Sequence, residues 1–208
     1  LKNIDLIKKI QRARIIRLRQ ICSYAKNLIT AIPPDLRQGD ENLLNDQDLK
    51  NLIAKYDLNE KPAKIFKLKE LSKKLISKGE KILIWSTHLK TIDLIKKELS
   101  NEGINIAKIT GKTKLNEREE IKDEFNDSFS NLNAIIAIPQ ACSESISLHK
   151  ACHHGIYYDM NYNTSEFLQS LDRIHRVGGS EKNPVFYYFL QYENSIDIKI
   201  YERVFEKA

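Results

Sequence analysis

Two arginines three residues apart, with a glutamine four residues before the first, stand in the stretch Gln169-Ser-Leu-Asp-Arg173-Ile-His-Arg176-Val-Gly178. On a helix Arg173 and Arg176 share one face, and Gln169 lies one turn back on the same side. A guanidinium keeps its charge near neutral pH, and its planar fork matches phosphate oxygens two at a time. Two such forks on a rigid helix suit the negative charge that spreads over a transferring γ-phosphoryl group. An exposed helix whose arginines pair with Glu166 or Asp172 has the same spacing. The elements around the stretch must decide between the two.

Two other clusters invite chemistry and fall short of it. Gly111-Lys112-Thr113 follows a strand pattern like the end of a phosphate-binding P-loop, but that loop requires a glycine where Ile106 stands. Without it the backbone cannot form the nest of N–H groups that cradles phosphates. A Thr110-Gly111-Lys112-Thr113 strand end is better used against a nucleic-acid backbone, through hydroxyls, free N–H groups and one cation. Cys152-His153-His154, with His149 and Cys142 nearby, lacks any Cys-x-x-Cys or His-Glu-x-x-His spacing, so no metal site is expected.

The elements that must position these residues follow from hydrophobic periodicity. Ile15, Leu18, Cys22, Ala25 and Ile29 recur at steps of three and four, a helical stripe within residues 6–29 that ends before Pro33-Pro34. Residues 35–61 are polar and acidic, with a helical hint at 48–56, and read as a connector. From Pro62 onward apolar strands (81–85, 104–109, 134–138, 156–159, 185–190) alternate with amphipathic helices (63–78, 91–102, 117–125, 143–151, 165–177, 195–206). Strands without in–out alternation, separated by helices, predict a mainly parallel sheet covered on both faces. Ligands of such sheets sit at the carboxyl ends of the strands. That edge would gather Thr87, Thr110–Thr113, Ser143–Ser145, Asp159 and the arginine helix. Trp85, Tyr157-Tyr158 and Tyr187-Tyr188 lie in apolar strands and read as core, whereas His153 and His154 read as surface or edge.

Composition sets the outer limits. A chain of 208 residues, 41% hydrophobic and 30% charged, is globular and long enough to bury a substantial core. Its formal net charge is +6, yet residues 1–30 hold eight cations against one acid, Asp5. That basic segment suits an anionic partner, nucleic acid first. Three cysteines make no disulfide framework and imply a reducing compartment. No apolar run is long enough to span a bilayer, so no membrane partner is expected. Leu1 in place of methionine fits a segment of a longer polypeptide.

Taken in order, these pieces resemble a known family. Gln169-x-x-x-Arg173-x-His175-Arg176-x-Gly178 resembles motif VI of superfamily-two helicases, particularly the Swi/Snf-type DNA translocases. Ile82-Leu-Ile-Trp-Ser-Thr87 looks like motif IV, and Ile109-Thr-Gly-Lys-Thr113 with Glu117-Arg118 like the family's "dGst…eR" segment. Ala141-Cys-Ser-Glu-Ser-Ile-Ser-Leu148 takes the place of motif V, and Asp159-Met-Asn-Tyr-Asn163 is similar to "DxxWN". Arg19-Gln-Ile-Cys22 resembles the "LRQIC" helix that leads into this lobe. Two departures mark the chain as divergent. Cys142, Ser143, Ser145 and Ser147 replace the usual glycines and asparagine of motif V, and Gly179 stands where a glutamine often follows motif VI. Gly179 also argues against the DEAD-box branch, which carries an arginine there.

The resemblance implies a RecA-like three-layer α/β/α lobe over residues 62–208, preceded by a helical lead-in and connector over residues 1–61. It implies that ATP and Mg²⁺ are bound mainly by a first RecA-like lobe of the same polypeptide, with neither expected on this chain alone. Arg173 and Arg176 would act as arginine fingers, oriented by Gln169, and Ser145 would approach the ribose. Thr87, Thr110, Gly111, Lys112 and Ser143 would hold the nucleic-acid backbone, DNA over RNA. The isolated chain would hydrolyse ATP negligibly. A nucleic-acid- or partner-binding module that has lost the enzymatic use of motif VI is the alternative. The location implied is the nucleoid region of a prokaryotic cytoplasm, as Lys/Ile/Asn-rich composition suggests, or a eukaryotic nucleus.

Overall fold

A computed structural model describes residues 2–29, 60–142, 146–175 and 184–208. Residues 35–59 of the expected connector, with its helical hint at 48–56, and Ser143, Ser145, Arg176, Gly178 and Gly179 lie outside the described residues. Five strands, β1 (Lys81–Trp85), β2 (Ile106–Ile109), β3 (Ala134–Ala137), β4 (Cys152–Tyr157) and β5 (Phe186–Phe189), form one sheet in the order β2-β3-β1-β4-β5. Every pairing is parallel. The helices are α1 (Lys2–Ser23), α2 (Lys26–Ile29), α3 (Ala63–Ile76), α4 (Leu89–Ser100), α5 (Leu115–Asn126), α6 (Thr164–Leu171) and α7 (Ile196–Phe205), with a 3₁₀ turn at Pro139–Cys142.

Side chains of a strand alternate between its faces, so a continuous apolar run requires two cores. In β1, Ile82 and Ile84 join α3 and α4 residues Ile65, Leu68, Ile92 and Ile95. Leu83 and Trp85 join Phe125, Phe167, Ile200 and Val204 on the opposite face. This is the three-layer α/β/α architecture read from the sequence. Gly79 and Gly103, at φ of 83° and 76°, end α3 and α4 in the left-handed region, where a side chain would be strained. Each turn returns the chain to the sheet.

Several boundaries differ from expectation. β4 starts at Cys152, four residues before the expected strand, which puts His154 inside the sheet: it is buried against Phe186 and Tyr188 rather than at the surface. Residues 146–151, expected in a helix, hold a turn closed by Ala151 N–H to the Leu148 carbonyl at 3.1 Å. Trp85, Tyr157 and Tyr158 are core, while Tyr187 and Tyr188 are only half-buried on the edge strand.

The expected stripe of α1 is also not its inward face. Leu18 is exposed and Ile15, Cys22 and Ala25 are half-covered, whereas Ser23, Tyr24 and Asn27 are buried. The inward row at i, i+4, i+8 is Arg19, Ser23 and Asn27. Ser23 and Asn27 are polar because of what they meet on the lobe. Ser23 Oγ donates to Asp159 Oδ2 at 2.7 Å, and Asn27 Nδ2 donates to Thr91 Oγ1 at 2.8 Å. Ser23 has one hydroxyl proton, so the 2.7 Å bond between Ser23 and Thr91 runs from Thr91. Arg19 donates to the Met160 carbonyl at 3.2 Å and to Thr87 Oγ1 at 3.1 Å.

Candidate nucleotide and nucleic-acid interface

β1 ends in Ser86-Thr87-His88 and β4 in Tyr158-Asp159, so neighbouring strand ends bring Thr87 against Asp159. The Asp159 carboxylate is 6% exposed and takes four donors: Ser23 Oγ, Ser86 Oγ, and the backbone N–H and hydroxyl of Thr87, all within 2.7 Å. Burial pushes its pKa up. The neighbouring His88 and the bonds from Thr87, Ser86 and Ser23 outweigh that and leave it below the ordinary carboxylate value. Burial pulls Arg19 down, against the opposing field of Asp159. Thr87, read from sequence as a nucleic-acid contact, therefore spends its N–H and hydroxyl proton on Asp159 and accepts from Arg19. It belongs to the joint between α1 and the sheet edge.

The turn after β2 has a different character. Thr110 and Thr113 are buried, with the Thr110 N–H donating to Thr113 Oγ1 at 3.0 Å and Lys112 N–H to Thr110 Oγ1 at 3.3 Å. The turn closes with Thr113 N–H to the Thr110 carbonyl at 3.0 Å. Gly111 and Lys112 remain exposed at its tip. Lys112 shares a surface groove with Lys96 and Lys108, of which Lys108 pairs with Asp93 at 2.8 Å. Of the residues predicted to hold a backbone, Gly111 and Lys112 face solvent; Thr110 is turned inward.

The motif VI stretch starts as expected and ends early. Asn163 caps α6, its side-chain Oδ1 accepting from Glu166 N–H at 3.3 Å, while the side-chain amides of Asn161 and Asn163 donate to the Glu166 carboxylate. Glu166 is thereby committed to asparagines and not to Arg173. The helix stops at Leu171 instead of continuing to residue 177, and residues 172–174 form a tight turn. The Leu171 carbonyl accepts from Ile174 N–H, His175 N–H and the Tyr187 hydroxyl, the last at 2.9 Å. Ile174 dives into the core beside Gly155, where a Cβ would lie 3.0 Å from the Tyr187 ring and 3.1 Å from Ile174 Cδ1.

Arg173 consequently leaves the helix and folds back. It is 9% exposed, with Nε donating to the Gln169 carbonyl at 3.0 Å and Nη1 to the Ile146 carbonyl at 3.4 Å. Its own carbonyl accepts Leu148 N–H at 2.9 Å. The expectation that this guanidinium stands free on a helix face at the rim is corrected: it ties the motif V strand end to motif VI. Gln169 and His175 are exposed. Two residues that the sequence reading left without a role complete the edge. These are Arg19, on the "LRQIC" helix, and Arg118, whose guanidinium reaches three carbonyls; the "eR" pair was the signal for the latter. Among the described residues no group of three or more His, Cys, Asp or Glu side chains is arranged to hold a metal ion. No described helix is long and apolar enough to cross a membrane.

A parallel α/β/α lobe with this ordered set of strand-end motifs defines the second RecA-like lobe of a helicase-type motor. The Helicase conserved C-terminal domain family matches residues 63–178, and the chain belongs to that family, in its divergent Swi/Snf-type branch. It is 28% identical over 197 residues to the ATP-dependent DNA helicase DDM1 of Arabidopsis thaliana, covering 93% of this chain and 23% of that protein. It is 28% identical over 193 residues to the ISWI chromatin-remodeling complex ATPase ISW2 of Saccharomyces cerevisiae, covering 93% and 16%. The crystal structure of the C-terminal part of the Fun30 ATPase domain superimposes with a TM-score of 0.63 at 28% identity, over 76% of this chain and 51% of that one. The chain thus spans less than a quarter of the length of these two curated relatives. Both come from eukaryotes, and a prokaryotic source finds no support among them.

Proposed function

We propose that the chain is the second motor lobe of an ATP-dependent DNA translocase, acting within a longer polypeptide and completing a nucleotide pocket built on a first lobe. The observation that carries this reading is the alignment of the motif IV, "dGst…eR", motif V and motif VI segments along one edge of a parallel sheet, in a chain matched to ATP-dependent relatives over most of its length. ATP, when bound between the lobes, supplies the phosphoryl group, and the guanidinium chemistry of motif VI fits its charge. Mg²⁺ is assigned to the first lobe, because the described strand ends here offer hydroxyls and cations in place of a carboxylate cluster. Asp159, the acid at the edge, is already fully used.

The two arginines take unequal parts. Arg176 is assigned the reach across the cleft. Arg173 reaches phosphate only by exchanging its long bond to the Ile146 carbonyl, so it links motif V to motif VI in the open lobe and joins the nucleotide on closure. Gln169, exposed one turn earlier, orients the nucleotide side of that contact, with Ser145 toward the ribose. Lys112, the Gly111 N–H and Ser143 hold the tracking strand. Backbone contacts of this kind carry little base information, so sequence preference is weak. A nuclear location is the reading that a chromatin-remodeling relative supports. In the full-length protein, Arg176→Ala should reduce DNA-stimulated ATP hydrolysis by about 10³-fold or more and leave DNA affinity within about twofold of wild type. Near-normal turnover would refute the finger assignment. DNA binding without any ATPase in the wild-type parent would favour a binding module instead.

A further inference from the structure

Arg118 sits in the first turn of α5, where the helix's positive end disfavours a cation. Its side chain turns away from the helix toward two neighbouring strand ends. Nε donates to the Thr113 carbonyl at 2.9 Å, Nη2 to the Thr110 carbonyl at 3.3 Å and Nη1 to the Ala141 carbonyl at 2.6 Å. The first two carbonyls belong to the turn after β2, whose tip carries exposed Gly111 and Lys112; the third belongs to the 3₁₀ turn after β3. Three carbonyls from two loops converge on one planar fork, a geometry that an ammonium on a flexible stem does not reproduce. The buried hydroxyls of Thr110 and Thr113 already brace the β2 turn from within. Arg118 is what joins that turn to its neighbour.

We propose that Arg118 is a positioning residue: its guanidinium clamps the turn after β2 to the turn after β3 and so holds Lys112 where it meets a nucleic-acid phosphate. This rests on the backbone-gripping reading given above, and two measurements separate the two claims. The first needs no DNA. In the 208-residue chain, Arg118→Ala and Arg118→Lys should both raise amide hydrogen exchange of residues 110–113 and 140–142 by about tenfold or more, a loss of local protection, while β1 and β4 keep theirs. Unchanged protection in the two turns, or an equal rise in β1 and β4, overturns the clamp.

The second measures binding of the same chain to a fluorescein-labelled DNA duplex between 50 and 200 mM NaCl. Arg118→Ala should lower the salt slope by about 0.9, one phosphate contact, as Lys112→Ala does. The double variant should lose no more than either single one, because Arg118 acts through Lys112. Arg118→Lys should behave like Arg118→Ala. Additive slope losses, or a slope restored by Arg118→Lys, would make Arg118 a phosphate ligand itself and overturn the proposal. Failure of the wild-type chain to bind the duplex sinks the gripping reading, and the clamp with it as a positioning device for nucleic acid.

Discussion

Asp159 Oδ1 receives both the backbone N–H of Thr87 at 2.7 Å and its hydroxyl at 2.6 Å, and the same threonine oxygen accepts from Arg19 Nη2 at 3.1 Å. One buried carboxylate thus fixes a strand end, and through Ser23 and Arg19 it fixes the lead-in helix against the lobe. Removing it leaves four donors without their acceptor in a buried site. Asp159→Ala should cost about 3–5 kcal/mol, the range for breaking a buried charged network from one side. Urea unfolding checks the magnitude. Limited proteolysis between residues 12 and 29 should accelerate as α1 comes loose.

The same carboxylate sets an acid limit on stability. Its folded pKa lies below the ordinary value of 3.8, so its contribution is fully present above about pH 4 and is lost as pH falls through the folded value. His88 and His154 are pulled below the ordinary 6.5 by burial. Unfolded histidines bind protons first, so stability should already decline as pH drops below 6.5. Thermal melts from pH 7.5 to pH 3 should show both phases. His154→Phe, stacked on Phe186 as the imidazole is, should reduce the upper one.

Lys64 and Asp197 join α3 to α7 through a 2.7 Å ion pair whose side chains are 3% and 8% exposed. Lys64 also donates to the Tyr158 carbonyl, and Asp197 accepts from Tyr192 N–H. Either single change, Lys64→Met or Asp197→Leu, strands a charge and should cost about 3–5 kcal/mol. The double change should recover most of that loss in a double-mutant cycle. Two singles that add without recovery would show that the pair is not what joins the helices.

Gly155 lets the Tyr187 ring and Ile174 close over β4. Gly155→Ala must push both away, at a cost of about 1–3 kcal/mol for overpacking. Because Tyr187 and Ile174 hold the end of α6, the displacement should also raise amide exchange at Ile174 and His175. A stability loss with no change there would locate the strain elsewhere.

The thiols give a simple check on the core. Burial raises Cys142 and Cys152 to about 12, and raises half-buried Cys22 by less. At pH 8 iodoacetamide should label Cys22 first, and the other two only on denaturation. Fast labelling of Cys142 in the native chain would contradict its placement beneath the β3 turn.

Much of this architecture is written in local patterns. Two-sided burial of Ile82, Leu83, Ile84 and Trp85 follows from an unbroken apolar run, because a strand alternates faces whatever surrounds it. Gly79 and Gly103 mark the helix ends, since left-handed backbone tolerates little else. The order of the strand-end segments likewise placed the sheet edge that is proposed to be functional. Tertiary contacts decided the rest. The apolar stripe of α1 gave the wrong inward face because a buried carboxylate from residue 159 demands donors, and no periodicity within α1 encodes a partner 136 residues away. The arginine helix ends six residues early because Tyr187 takes its last carbonyl and Gly155 opens room for Ile174, contacts made only when β4 and β5 pair. The types of the residues were therefore fixed by local chemistry, and which of them face solvent was fixed by what the folded sheet edge had already claimed.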